Sequence, residues 1–180
     1  MTVPESPAGY TDYREYSFPR GLGVITALPL LAIASAFISS ESILIIVESP
    51  VLNLICVGIA VPLFIFIHES IHYITASTFG YDPIYEWPTM VYVPQVSLPV
   101  RHMVSMLLAP QILSLAYAVL LLSGVNQTLQ IIMGLGLLLN LGSSSSDVLW
   151  AIRRVTWPTG TKVVVGEDLA NYVAFPKDAV

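Results

Sequence analysis

The chain has 180 residues, of which 55% are hydrophobic and only 11% charged, with a formal net charge of −5. Soluble domains carry roughly 25% charged residues, and a mean hydropathy of +0.75 leaves too little charge to coat a soluble globule of this size. This excludes a secreted disulfide scaffold (Cys56 is the single cysteine), a nucleic-acid binder with a basic face and a disordered tail; the composition is that of an integral membrane protein.

Residues 1–20 are polar, mixed in charge and contain three prolines, which reads as an extramembrane tail. The apolar run Gly21 to Ser40 follows a long segment holding Glu5, Asp12 and Glu15. That is unlike the short basic start of a signal peptide, so the run is expected to be a retained transmembrane helix. A polar break at Ser39 to Ser42 and a short apolar stretch, Ile43 to Val47, lead to a second helix from about Val51 to Ser77. Pro62 should kink it, because proline removes a backbone donor, and Gly80 should stop it. Tyr81 to Val100 holds four prolines among aromatic and β-branched residues, which predicts an extended or hairpin segment. A third helix is predicted over Arg101 to Ser123, a tight turn at Gly124 to Asn126, and a fourth helix over Gln127 to Trp150. At ~1.5 Å per residue each can cross a hydrocarbon core of ~30 Å. Beyond Arg153 and Arg154, two short strands are expected, Thr161 to Val165 and Tyr172 to Phe175, around the Gly166-Glu167-Asp168 turn.

The expected fold is therefore an all-α integral membrane protein with four transmembrane helices. A short extended or hairpin segment lies between helices two and three, and a small tail follows the last helix. Residues 1–20 and 153–180 flank a membrane domain, 21–152. With four spans, Arg14, Arg20, Arg101, Arg153, Arg154, Lys162 and Lys177 all fall on one side, whereas the opposite loops carry Glu41 and Glu48. The positive-inside rule puts both termini in the cytoplasm of a multi-pass cell-membrane protein.

Near the end of the second helix stands His68-Glu69-Ser70-Ile71-His72, the H-E-x-x-H pattern. Residues four apart share a helix face, so both imidazoles can reach one metal ion. Glu69, one position along, can take a proton from water on that metal without joining the coordination shell. Ionisable groups inside a charge-free helix are costly in a bilayer, which marks them as functional; the plainer reading is three interfacial residues that snorkel or cap the helix end. For a third ligand, Asp147 is the carboxylate of the fourth span. His68 lies ~26 Å along its helix from Val51, and Asp147 ~30 Å from Gln127, so their depths match within a turn. Gly136, Asn140, Ser143 or Ser144, and Asp147 form one small and polar stripe that should face the interior. The ten Leu, Ile and Val residues between Gln127 and Trp150 favour insertion by about 3–6 kcal/mol, and a central Asp takes back ~3 kcal/mol. A dication would compensate that carboxylate; hydration or pairing with Arg153 is the alternative. Rival third ligands are His102, Glu86, Glu167 and Asp168. The segment Ile84 to Val100 could hold an extended substrate by strand addition or serve as an interfacial anchor. Pro110-Gln111 offers a kink and an amide for the site or for helix–helix hydrogen bonding.

The order HESIH in a membrane helix, a strand-like loop, LLAPQILSL, then NLGSSSSDVLWAIRR and a short tail resembles the zincin-peptidase family of small multi-pass membrane proteins. That family is itself distantly similar to the site-2 intramembrane metalloproteases. The resemblance covers roughly Val51 to Phe175. It implies a zinc metallopeptidase with Zn2+ held by His68, His72 and Asp147, Glu69 as base, and a membrane-associated protein or peptide as substrate. Asp147 departs from the site-2 pattern, since it follows four serines and precedes Val148. A metal transporter, or a membrane metal-binding protein without proteolytic activity, would use the same His and Asp residues. Membrane lipids are the expected surroundings, and no nucleic acid partner is expected.

Overall fold

The structure is a computed structural model that describes residues 5–19, 21–38, 48–86 and 90–179. The expected end of the first span at Ser40, the polar break at 39–42 and the apolar stretch 43–47 lie outside the described residues. The chain is mostly helical with two small sheets. Strand β1 (Arg14–Glu15) precedes α1 (Leu22–Ser35), and α2 (Pro50–Ile55) runs through a π-turn at Cys56–Ala60 into α3 (Val61–Thr78). Pro62 sits in the first turn of α3, where its missing N–H would leave a carbonyl of the preceding turn unpaired. A widened turn just ahead of it is the usual accommodation. A hairpin follows, β2 (Ile84–Glu86) and β3 (Met90–Tyr92), paired antiparallel with Tyr85 opposite Val91. Then come α4 (Val100–Leu108), α5 (Gln111–Leu122), α6 (Gln127–Ser143), α7 (Ser145–Thr156), β4 (Lys162–Val165) and β5 (Asn171–Ala174).

Two helices, Asn53–Thr78 and Val100–Leu122, are long and apolar enough to cross a membrane, and Gln127–Ser143 with Ser145–Thr156 makes a third if the bent pair is one span. Helix α1 has 14 described residues, short of the ~20 that a crossing needs.

The fourth predicted helix is not straight. It bends by 43° between α6 and α7, at the serine run. Ser143 Oγ and Ser144 Oγ both donate to the Asn140 carbonyl, at 3.0 and 2.6 Å, and such back-bonding bends helices. The second half also runs past Trp150 to Thr156, so Arg153 and Arg154 belong to the helix rather than to a tail. Tertiary contacts make this extension favourable. The Arg153 guanidinium lies over the rings of Tyr16 and Trp157, and buried Arg154 donates to the carbonyls of Leu98 and Thr161 at 3.2 and 2.8 Å.

The two C-terminal strands form within a residue or so of their expected positions and pair antiparallel, Val163 opposite Val173. The N-terminal segment joins them. Arg14 pairs with Val173 and Glu15 with Tyr172, giving a three-stranded sheet in the order β1-β5-β4. Its inner face packs Trp157, Val163 and Val173 against Tyr16, Met103 and Trp150, a buried apolar surface the 1–20 sequence does not advertise. The turn between β4 and β5 is closed by Tyr172, whose hydroxyl donates to Asp168 at 2.8 Å. That bond holds the Asp168 carboxyl below its ordinary value and pushes the Tyr172 hydroxyl up to about 12.

The helical core is built by Ala34, Tyr117, Leu137 and Leu141, with Phe64 and Leu113 against it. Helix α1 runs antiparallel along α6 and α7. Phe18 packs on Trp150, Leu31 lies over Gly142 and Ile38 over Gly134. At Gly136 a Cβ would stand 2.8 Å from Phe64 Cε1 and 3.0 Å from Tyr117 Cζ, two rings locked edge to face at 5.8 Å. Gly136→Ala is therefore expected to destabilise the bundle by about 1–3 kcal/mol through overpacking. Thermal unfolding in detergent would check this; an unchanged midpoint would show that the rings yield.

Candidate metal centre

Helix α3 carries His68 and His72 on its inward face, 2% and 7% exposed, four residues apart. The intervening Ser70 turns outward and satisfies its hydroxyl on the Phe66 carbonyl at 2.7 Å, so its polarity costs little at the lipid face. Asp147 stands in the first turn of α7, just past the serine bend, where the helix dipole favours a carboxylate. The bend aims that turn at α3. Asp147 Oδ2 lies 3.3 Å from His68 Nε2 and 3.4 Å from His72 Nε2, and the two Nε2 atoms are 3.2 Å apart.

The far side of each ring decides what these atoms are. His72 Nδ1 is 2.7 Å from the Met106 carbonyl, which can only accept, so Nδ1 carries the hydrogen. Asn140 Nδ2 donates to the Pro110 carbonyl at 2.9 Å and to Ser114 Oγ at 2.7 Å. Its Oδ1 is thereby turned to His68 Nδ1 at 2.9 Å, and that nitrogen must be the donor. Ser143 Oγ lies a further 3.3 Å away from it. Both rings thus present Nε2 lone pairs to the centre. Two nitrogen lone pairs and a carboxylate oxygen, nearly dry and 3.2–3.4 Å apart, repel one another unless a cation lies among them. Tetrahedral zinc with bonds of ~2.0–2.1 Å places its ligand atoms ~3.3–3.4 Å apart, and the observed triangle has that size. His68, His72 and Asp147 could hold a metal ion, and the donor set is one that suits zinc.

The rival ligands are elsewhere. His102 Nδ1 bonds the Tyr81 hydroxyl at 2.7 Å while its ring stacks on Phe79. Glu167 accepts from Gln95 at 3.0 Å, Asp168 from Tyr172, and Glu86 ends β2. Asp147 is held by the histidines rather than by Arg153, which packs on aromatic rings. Of the stripe on α6 and α7, Gly136, Asn140 and Ser144 are buried. Asn140, which the sequence placed on an inward-facing stripe, orients His68. Gln111 reaches the centre through Ser114, from which its Oε1 accepts at 3.2 Å. Sequence reasoning missed Ser114 and the Met106 carbonyl; the LLAPQILSL segment contains the first and directly follows the second, but a backbone acceptor leaves no residue signature.

A cavity of about 530 Å³ opens beside the cluster, lined on one side by His68, Glu69, His72 and Asp147. Strand β3 and the chain just after it form another wall, and Val163, Val165 and Asn171 of the three-stranded sheet close it. Among the described residues β3 is paired only on its β2 side, and the Val91 N–H is turned toward the Glu69 carboxylate.

A helix bearing H-E-x-x-H inside an apolar bundle, with a carboxylate from another helix completing a three-donor triangle, defines the class: a mostly helical protein with two or three candidate membrane spans and a candidate metal site of zincin type. The family model described as "Putative zincin peptidase" matches residues 61–158, more than half of the chain and including every residue of the triangle, and the protein belongs to that family. Neither the curated proteins nor the solved structures contain a match to the chain.

Proposed function

We propose that this protein is an integral membrane zinc metallopeptidase that cleaves an extended segment of a membrane-associated protein near the cytoplasmic face. The observation that carries the reading is the triangle of three lone-pair atoms at 3.2–3.4 Å on the wall of a cavity also lined by β3, which among the described residues pairs with no other strand than β2. His68, His72 and Asp147 would hold the ion. Zinc bound there supplies Lewis acidity to the scissile carbonyl and to water. Glu69 points into the same cavity; as a carboxylate outside the triangle it takes a proton from the attacking water and returns it to the leaving amine. The edge of β3 orients the substrate backbone by strand addition, next to Glu69. Met103, Met106, Leu107, Val163 and Val165 offer an apolar surface for a bulky aliphatic side chain beside the scissile bond.

The orientation follows from parity. β1 and β5 share one sheet, so the chain between them crosses the bilayer an even number of times. Asn53–Thr78 and Val100–Leu122 offer two crossings, and the bent pair taken as one span a third. A fourth crossing by the apolar run that holds α1, whose 14 described residues lie antiparallel to α6 and α7, would complete that parity, and the basic residues toward both ends support a cytoplasmic side for the sheet, cavity and termini.

The direct test is metal dependence. Purified protein in detergent should hold about one zinc per chain and cleave a model membrane peptide carrying an extended cytoplasmic segment. A strong chelator should abolish cleavage, and added zinc should restore it. Cleavage that survives complete zinc removal would refute the reading.

A further inference from the structure

Helix breaks by proline in membrane helices leave a carbonyl that must find another partner. In the third span that break falls at Pro110, fully buried between α4 and α5, and both of its consequences end at the metal centre. In a continuous helix the Met106 carbonyl would accept from the N–H of residue 110. Proline has none, and Met106 O accepts instead from His72 Nδ1 at 2.7 Å. The Pro110 carbonyl, already bonded to Leu113 N at 3.0 Å, takes a second hydrogen from Asn140 Nδ2 at 2.9 Å. That bond turns Asn140 Oδ1 to His68 Nδ1.

We propose that Pro110 is a positioning residue for the metal site, one helix break that sets the tautomer and ring orientation of both histidines by two separate routes. The proposal rests on the reading of His68, His72 and Asp147 as metal ligands. Two unmet needs cancel in it. Met106 O is an orphan acceptor in an apolar bundle, and the buried His72 Nδ1–H is a donor that water does not reach. Any other residue at 110 would bring an N–H one helical turn from Met106 O, in standing competition with His72. A proline is the residue that guarantees the acceptor stays free. Its carbonyl then serves Asn140, whose amide has only one orientation that satisfies Pro110, Ser114 and His68 together.

Pro110→Ala, made in the full chain in detergent, restores the competing N–H while favouring a regular helix. Loss of an outer-shell partner weakens metal binding by roughly 10–100-fold, and an effect of that size is expected for zinc, read by competition with a chromophoric chelator. The cobalt-substituted protein should show altered visible absorption, a signature of ligand geometry that a purely structural role for Pro110 would leave unmoved. Zinc affinity within twofold of the parent and an unchanged cobalt spectrum would overturn the proposal. Should the variant fail to fold, 15N-histidine spectra of the parent protein decide the matter. Both His68 and His72 should carry their hydrogen on Nδ1, the His72 proton shifted downfield by its carbonyl partner; an Nε2–H tautomer at His72 would overturn it. A parent protein that takes up no zinc would instead refute the metallopeptidase reading, and the tautomer spectra would still decide the role of Pro110.

Discussion

Glu69→Gln is expected to leave one zinc per chain in place and to lower the cleavage rate by about 10²–10⁴-fold, the usual contribution of a positioned general base. Glutamine keeps the shape and can still accept the hydrogen turned toward it from the Val91 N–H, so the cavity wall should not change. It cannot take a proton from water. Glu69 lies outside the donor triangle of His68, His72 and Asp147, which is why metal content and catalysis should separate in this variant. Zinc analysis alongside single-turnover cleavage of the same preparation makes the check. Full activity would sink the mechanism, and parallel loss of zinc would move Glu69 into the ligand set. A metal transporter built on the same triangle would tolerate the change and move metal across liposomes.

Asp147→Ala should weaken zinc by more than the ~10–100-fold typical of outer-shell losses, because it removes one of three donors outright. Two neutral imidazoles at 3.2 Å would remain, a poor site for a dication without a balancing charge. The bend that delivers residue 147 should persist, since it depends on Ser143 and Ser144 bonding the Asn140 carbonyl and not on the carboxylate. Helix content by circular dichroism should therefore match the parent while equilibrium dialysis registers the loss. Equal zinc affinity in this variant would show that Asp147 is not a ligand. His68→Ala and His72→Ala are expected to behave likewise.

Much of the site was legible because bilayers make charge conspicuous. His68, Glu69, His72 and Asp147 stand out in apolar helices whose other charged residues lie near the helix ends, and helical rise alone put the first and last at one depth. The proline-rich segment announced a hairpin, and turn chemistry announced β4 and β5. The serine run before Asp147 looked like a departure from the site-2 pattern; it is the bend that turns the carboxylate onto the histidines. The serine hydroxyls do this through one backbone carbonyl, a use that composition and periodicity do not encode. The N-terminal segment read as a tail because two residues of β1 carry no alternation of their own. It becomes a strand only where β5 offers it an edge.

Hydropathy and spacing by themselves determined that the chain holds helices long and apolar enough to cross a membrane, which helices carry the His and Asp donors, and which side chains share a face or a depth. These are properties of a single helix in a given solvent, and each can be computed along the chain. The tertiary structure alone decided the 3.2–3.4 Å triangle, the tautomers of its histidines, the joining of the two terminal segments in one sheet, and the cavity between that sheet and the helices. All four depend on backbone carbonyls and N–H groups meeting partners from distant segments. Every residue brings the same backbone groups, so their partners are chosen by packing, and no pattern of side chains names them in advance.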